Sequence, residues 1–205
     1  NVSLNGNCSG NAAVLAGTIT GTGRLNLGTT LQNAWTISSS ISGALSLAVN
    51  SRVTLSGNNS YTGGTVISGS MLTTRSVSAL GTGVVTINGG SLALDGNLEI
   101  SALAGTGGSV SLGGNLLSIS GGDASTVYAG TITGAAGSGV NVEDGASLGL
   151  TGTVATDSVT VGGTLALNGT TTVGAMQVDK GGSVTLGGTC LLYTSPSPRD
   201  RSLSR

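Results

Sequence analysis

The sequence predicts an all-β protein that coils as a parallel β-solenoid. Three observations support this: apolar residues alternate with small polar ones, glycines separate the alternating segments, and the segments recur as similar units. The chain has 205 residues, of which 38 are glycine and 7% are charged. Its mean hydropathy is positive, at +0.33. This indicates a folded chain, since disordered chains combine low hydrophobicity with high net charge.

The alternation of apolar residues has a period of two, which is typical of strands that bury one face. No segment carries apolar residues at helical spacing together with helix caps, so we expect almost no helix. The alternating pairs are Leu45/Leu47, Val53/Leu55, Leu92/Leu94, Val110/Leu112, Val159/Val161, Leu165/Leu167 and Val184/Leu186.

Glycine-containing pairs separate these segments. Glycine and asparagine accept a positive φ more readily than other residues, as tight corners require. We therefore interpret these pairs as the corners of a coiled chain. They are Gly63-Gly64, Asn88-Gly89, Gly113-Gly114, Gly162-Gly163, Asn168-Gly169 and Gly181-Gly182.

Similar units recur toward the C-terminus at a spacing of about 17–19 residues. They begin at Val140, Val159 and Met176, and each continues into an alternating segment and a Gly-Thr pair. A second repeat is the hexapeptide Ala-Gly-Thr-Ile-Thr-Gly, which is identical at residues 16–21 and 129–134. Residues 40–43 are a looser relative of it.

Units this short cannot bury an apolar face alone, but stacked units share one continuous core. With about 18–22 residues per coil and about 4.8 Å between coils, we expect roughly nine or ten coils and a rod of about 45 Å. An antiparallel sandwich or barrel is the alternative, although it needs hairpins that the fixed repeat does not indicate. We assign residues 1–189 to one solenoid.

The last residues, 190–205, break the pattern. They contain no glycine, both prolines and three of the seven basic residues. Such a composition is typical of a linker or a disordered tail, and the string also resembles translated sequencing-adapter read-through. We expect a disordered or non-native tail. Because the sequence begins at Asn1 without a signal-peptide pattern, we also expect a fragment of a longer chain.

The composition argues against several functions. The chain has no histidine and a net charge of −1. Without histidine it can build neither a Ser-His-Asp or Cys-His catalytic set nor a histidine-ligated metal site. The charge offers no basic face for nucleic acid. We therefore predict no cofactor, no metal and no nucleic-acid partner.

Residues 55–94 carry three ordered sequence blocks. These are Leu55-Ser56-Gly57-Asn58-Asn59 with Tyr61-Thr62-Gly63-Gly64-Thr65, then Ala79-Leu80-Gly81-Thr82-Gly83, then Val85-Thr86-Ile87-Asn88-Gly89-Gly90. This stretch resembles the autotransporter-associated β-strand repeat of bacterial type V secreted passengers. It departs from that repeat locally, at Ser70-Met71 and at Arg75, where Gly-Thr and a small residue are commoner.

The resemblance implies a right-handed parallel β-helix passenger that is displayed at, or released from, a Gram-negative cell surface. It implies export through an outer-membrane β-barrel translocator in a part of the chain beyond this sequence. The role would be structural or adhesive and non-catalytic, toward a host surface, a neighbouring cell or further copies. A polysaccharide-active β-helix enzyme, such as a lyase, and an ice-binding solenoid are the rival hypotheses.

Polar residues of the same stretch are predicted at corners. Asn58, Asn59 and Asn88 have side-chain amides that can bond to backbone groups or stack on neighbouring coils. Tyr61 would either cover a corner or lie on the surface.

Closely spaced carboxylates are the first candidates for chemistry, because such pairs serve in acid–base catalysis or calcium binding. Asp95 and Glu99 form one pair, and Glu143 and Asp144 form another. Both pairs lie beside glycine turns, so we interpret them as solvated corner acids. Asp123, in Gly121-Gly122-Asp123, resembles the start of a calcium-binding nonapeptide but lacks its continuation.

The basic residues Arg24, Arg52, Arg75 and Lys180 show no evident acidic partner one coil away. Lys180 also lacks the Gly-Lys-Ser/Thr order of a phosphate loop, so we expect a surface turn.

Three other residues have alternative roles. Cys8 and Cys190 would pair in an oxidising compartment or remain free. Trp35 would serve as a sugar platform or, as we favour, in packing. Thr-x-Thr pairs suggest an ice-binding array, but their spacing is irregular. They are Thr18/Thr20, Thr131/Thr133, Thr151/Thr153 and Thr170/Thr172.

Overall fold

A computed structural model of the chain describes residues 2–4, 13–28, 34–121 and 125–192. Within these ranges the regular secondary structure is entirely β, so they contain no helix that could cross a membrane. The first strands are β1 (Val2–Leu4), β2 (Ala13–Leu15), β3 (Thr18–Leu27), β4 (Trp35–Ile37), β5 (Ser40–Val49), β6 (Val53–Leu55), β7 (Thr65–Ile67), β8 (Met71–Thr74), β9 (Val85–Ile87), β10 (Ser91–Leu94), β11 (Leu98–Ile100) and β12 (Leu103–Ala104). They are followed by β13 (Ser109–Gly113), β14 (Leu116–Ile119), β15 (Thr126–Tyr128), β16 (Thr131–Gly134), β17 (Gly139–Val142), β18 (Ser147–Leu150), β19 (Thr153–Val161), β20 (Thr164–Leu167), β21 (Thr170–Val178), β22 (Ser183–Leu186) and β23 (Thr189–Leu192).

Each coil lays its chain along three faces, A, B and C, in that order. Face A stacks β1, the C-terminal parts of β3 and β5, then β7, β9, β12, β15, β18, β20 and β22. Face B stacks β2, β4, β6, β8, β10, β13, β16, the N-terminal halves of β19 and β21, and β23. Face C stacks the N-terminal parts of β3 and β5, residues 59–62 and 77–82, then β11, β14, β17 and the C-terminal halves of β19 and β21.

Every strand pairing in the described ranges is parallel. The strands form a β-solenoid of about nine coils. This confirms the predicted fold class and excludes the antiparallel sandwich or barrel.

Inward side chains stack coil on coil and form one continuous core. On face A, a buried column runs through Leu25, Leu47, Thr65, Val85 and Leu103. The in-register pairing places each side chain directly over its equivalent in the coil below, because paired strands present their side chains to the same side.

The C-terminal repeat is confirmed at the level of register. On face C, Val140 pairs with Val159 and Val159 pairs with Met176. The corresponding offsets along the chain, 19 and 17 residues, are those expected from the sequence.

The two identical hexapeptides lie at different structural positions. Residues 18–20 lie on face C and pair with residues 40–42, the looser relative. Residues 131–133 instead lie on face B, between β13 and β19. The same six residues suit both places because each needs only one inward isoleucine, flanked by small outward residues.

The C-terminal boundary of the regular structure lies three residues beyond the predicted one. Cys190, Leu191 and Leu192 belong to β23 and pair with Thr171, Thr172 and Val173 of β21. The rest of the predicted tail, residues 193–205, lies outside the described residues, as does Cys8.

Stacked glycines form the corner between faces A and B in the C-terminal coils. A Cβ atom built on Gly152 would overlap the carbonyl oxygen of Gly130, and one on Gly169 would overlap that of Gly152. A Cβ atom built on Gly188 would likewise overlap the carbonyl oxygen of Gly169. Glycine is required here because the backbones of successive coils leave no room for a side chain.

We predict that Leu165→Asp unravels the coils around β20. Leu165 is fully buried on face A, and an unpaired buried charge costs more than the about 2–5 kcal/mol of a Leu→Ala change. Denaturant unfolding followed by circular dichroism measures the loss, and limited proteolysis locates it.

The matched control is Thr164→Asp, at an exposed position of the same strand, which should change the stability by about 0.5 kcal/mol or less. Because each coil supports mainly its neighbours, cleavage of the Leu165→Asp variant should concentrate near β20. Uniform cleavage along the chain would contradict the prediction.

Candidate functional site

Arg75 and Asp95 form an ion pair between adjacent coils. Nε of Arg75 donates to Oδ2 of Asp95 at 2.7 Å, and both side chains are more than half exposed. The pair forms because Thr74 pairs with Leu94, which places the next residue of each strand one above the other. The expectation that Arg75 lacks an acidic partner one coil away is therefore wrong. An exposed pair of this kind stabilises the fold by about 1 kcal/mol at most.

Glu99 lies apart from this ion pair, on the outward side of β11, where it is exposed. It lines a small cleft of about 160 Å³ on face C, together with Asn59, Ser78, Gly81, Thr82, Ile100, Ser101 and Ser120. The cleft thus places one carboxylate among several hydroxyl groups.

The second predicted pair of carboxylates lies at the corner between faces C and A. Glu143 is half-buried directly after β17, and Asp144 is exposed in the turn that leads to β18. Asp123, the candidate calcium ligand, lies outside the described residues. In the described ranges no three Asp, Glu or Cys side chains come together as metal ligands.

Asp157 lies at a corner that sequence reasoning missed, because the residue falls inside an alternating strand. Its Oδ2 accepts a hydrogen bond from the backbone N–H of Gly137 at 2.9 Å, which ties the loop of residues 135–138 to the next coil. The loop and the strand enclose an open groove of about 350 Å³, lined by Gly134, Ala135, Ala136, Ala155, Thr156, Asp157, Thr172 and Gly174.

Asn59 links three successive coils through its buried amide. Its Oδ1 accepts from the backbone N–H of Ile41 at 2.8 Å, and its Nδ2 donates to the carbonyl oxygen of Ala79 at 2.6 Å. Both partners are backbone groups, so the amide replaces strand pairing where the chain turns. The predicted corner role of this residue is confirmed.

The other two asparagines of the motif make similar bonds at the surface. Oδ1 of Asn58 accepts from the hydroxyl groups of Ser76 and Ser78 one coil away. Oδ1 of Asn88 accepts from the backbone N–H of Thr106 at 3.3 Å.

Tyr61 is fully buried, so it is not a surface ring. Its hydroxyl oxygen lies 2.5 Å from the hydroxyl oxygen of Thr65. Burial raises the pKa of Tyr61 well above its usual range, although the bond to Thr65 opposes this. A Cβ atom on Gly81, one coil above, would overlap the carbonyl oxygen of Tyr61 and crowd its ring. The glycine of the second sequence block is therefore required by the close approach of the backbone at residue 61 in the first.

The remaining candidate residues occupy separate places. Trp35 is buried in β4, which supports the packing role over a sugar platform. Cys190 is a free, half-buried thiol in β23. Lys180 is exposed in the turn between β21 and β22, as predicted, and Arg24 and Arg52 are also exposed.

Hydroxyl side chains form a regular array on the outside of face B, which we call the hydroxyl face. In one outward column, Ser109 pairs with Thr131, Thr131 with Thr153, Thr153 with Thr170, and Thr170 with Thr189. The adjacent column contains Ser111, Thr133, Ala155 and Thr172.

This array changes the interpretation of the Thr-x-Thr pairs. The pairs Thr131/Thr133 and Thr170/Thr172 lie on the hydroxyl face. The first pair belongs to the coil before β19 and the second pair to the coil after it. Thr18/Thr20 lies on face C instead. The spacing is irregular in the sequence because coil lengths differ, yet the columns are regular in the fold.

Comparisons with known proteins add no relative. No protein-family model, no curated protein and no solved structure matches the chain.

We predict that Asn59→Ala lowers the free energy of unfolding by roughly 2–4 kcal/mol, because it removes two bonds and leaves two backbone groups of neighbouring coils without partners. Asn88→Ala is the matched control, since Asn88 is exposed and makes longer bonds. It should cost about 0.5 kcal/mol or less. Urea unfolding compares the two, and equal losses would show that the buried amide has no special role.

Proposed function

We propose that this chain is a segment of a secreted bacterial autotransporter passenger, with a structural or adhesive role and no catalysis. The observation that carries the proposal is the way residues 55–94 fold. Leu55, Thr74 and Leu94 are paired one above another, so the stretch spans two consecutive coils. The stretch that resembles the autotransporter-associated repeat thus corresponds to two whole coils.

Interactions within these two coils give the blocks a physical meaning. Asn59 of the first block bonds to backbone groups of the coils below and above. Tyr61 packs against Gly81 of the second block. A repeat whose first block contacts the second one coil away supports folding coil by coil, as a chain that crosses a membrane unfolded would require.

Small uncharged side chains cover much of the outside, as on the hydroxyl face. Such a surface suits display and adhesion to a host or neighbouring cell. The passenger would be extracellular or held at the outer membrane by the β-barrel translocator.

The test is the genomic sequence on both sides of the coding region, together with localisation on intact cells. We expect one reading frame with a signal peptide upstream and a downstream domain of alternating apolar strands about ten residues long. Protease added to intact cells should remove the antigen recognised by antibodies against this chain, while a periplasmic marker survives. A cytoplasmic antigen, or a complete frame without a barrel, would refute the proposal.

An ice-binding solenoid is the second candidate, and the hydroxyl face is the observation that favours it. Its strands place side chains on a grid of about 4.8 Å between coils and about 6.7 Å along each strand. Thr131, Thr153, Thr170 and Thr189 occupy successive points of one column. A column of hydroxyl and methyl groups at this spacing is suited to an ordered water surface.

Thermal hysteresis and ice-recrystallisation assays test this candidate. Thr153→Tyr, at the exposed centre of the column, should abolish any activity because the ring breaks the flat surface. Thr164→Tyr, which is equally exposed but lies on face A, should leave it unchanged. Absence of activity in the unmodified chain, or equal effects of the two variants, would reject ice binding.

A further inference from the structure

The carboxylates of the described residues are distributed unevenly around the rod. All of them lie on face C or at its two corners, and they are Asp95, Glu99, Glu143, Asp144, Asp157 and Asp179. From Glu99 onward, the described part of the chain contains five carboxylates and one base, Lys180. A one-sided distribution of charge creates a negative potential, which attracts a cationic partner to that side.

Outward side chains of face C form two polar columns, which together we call the face C track. Strand pairing stacks the first column, which contains Glu99, Ser118, Asn141, Thr160 and Gln177. The second column runs along the corner with face A and contains Ser101, Ser120, Glu143, Gly162 and Asp179. The residues of the second column directly follow paired strand residues, and backbone hydrogen bonds between coils continue through them.

The charges of the track are spaced at regular intervals. Glu143 and Asp179 are two coils apart, which is a distance of about 10 Å. Gly162 lies between them, so no side chain separates the two carboxylates. Glu99 lies two coils below Glu143, in the neighbouring column. Hydroxyl and amide groups of the first column fill the space between these charges.

The cleft of about 160 Å³ lies at the lower end of the track and is continuous with it. Glu99, Ser101 and Ser120 line the cleft and also belong to the two columns. The recess exists because residues 76–80 form a turn instead of a strand beneath β11. The track therefore combines an open polar surface with one recess that can enclose the end of a ligand.

The geometry of the track argues against a peptide as its ligand. Peptides are recognised through a free strand edge or through pockets for their side chains. Here β14, β17 and β19 each pair with a strand on both sides, so the track is a sheet face without a free edge. A polysaccharide needs neither feature, since its hydroxyl groups can bond to side chains along an open polar surface. An acidic polysaccharide would be repelled by the carboxylates.

We propose that the face C track binds an extended polysaccharide with free amino groups, whose chain runs along the rod. Its ammonium groups pair with Glu143 and Asp179, and its hydroxyl groups bond to Asn141 and Thr160. Alternate sugars of a β-1,4-linked chain recur at a distance similar to the separation of the two carboxylates. This inference goes beyond the proposed function, which names no ligand, and it does not depend on export.

Isothermal titration calorimetry with the full chain tests the proposal. The probe is a hexamer of β-1,4-linked glucosamine in a slightly acidic buffer, in which its amines are protonated. We expect this hexamer to bind, and we expect its binding to weaken as salt is added. The N-acetylated hexamer should bind at least about tenfold more weakly, because it offers no ammonium group for the two carboxylates. A galacturonate oligomer should not bind.

Paired variants locate the site on the rod. Glu143→Gln/Asp179→Asn should bind the glucosamine hexamer about tenfold more weakly, because two ion pairs are lost. Asp95→Asn/Asp157→Asn is the matched control, since it removes the same charge at the opposite corner of face C. It should change the affinity less than about twofold. Circular dichroism establishes that both variants are folded.

Four results would overturn the proposal. The first is the absence of binding by the glucosamine hexamer, and the second is equal binding of its N-acetylated form. Hexalysine that binds as tightly as the sugar would assign the track to a basic peptide instead. Equal losses in the two double variants would show that the hexamer responds to net charge and not to the track. Each measurement uses the purified chain, so it can fail while the localisation expected under the proposed function holds.

Discussion

The backbone hydrogen bonds that join each coil to the next one determine the rest of this structure. They run between parallel strands in a register that shifts only locally, after Ser111 in the described residues, so a residue's neighbours are the equivalent residues one coil away. This register brings apolar residues into columns and requires glycine where backbones touch. It also makes surface features repeat along the rod. A single coil buries no complete face, so the fold exists only as a stack.

Local pattern was enough to predict the parts of the structure that repeat. The alternation of Leu165 and Leu167 predicts a strand with one buried side, and the offsets of 17 and 19 residues predict which strands stack. Features that depend on the exact length of each coil could not be predicted from the local sequence pattern. Arg75 meets Asp95 only because that coil is 20 residues long, and the two identical hexapeptides lie on different faces.

The candidate site was predicted less completely than the fold. Asn59 was assigned correctly to a corner, but its burial and its two backbone partners follow from three coils meeting around it. Tyr61 has no apolar partner in its local sequence, so its burial against Gly81 becomes visible only in the stack. The hydroxyl face was obscured for a similar reason, because coils of unequal length place its threonines at unequal intervals. A single proposed role, as a display or adhesion surface, accommodates these features, since all of them are consequences of stacking.

The glycine corner also decides where this protein can accept new sequence. Gly130, Gly152, Gly169 and Gly188 close the edge between faces A and B so tightly that even a methyl group would disturb two coils. In these C-terminal coils, insertions, fused domains or attached glycans have no room to leave the rod along that edge. The corner between faces B and C is different, because there the loop of residues 135–138 already projects and is held by Asp157. Length variation among natural or engineered versions of this solenoid should therefore concentrate on that side of the rod, and additions placed there would preserve the stack.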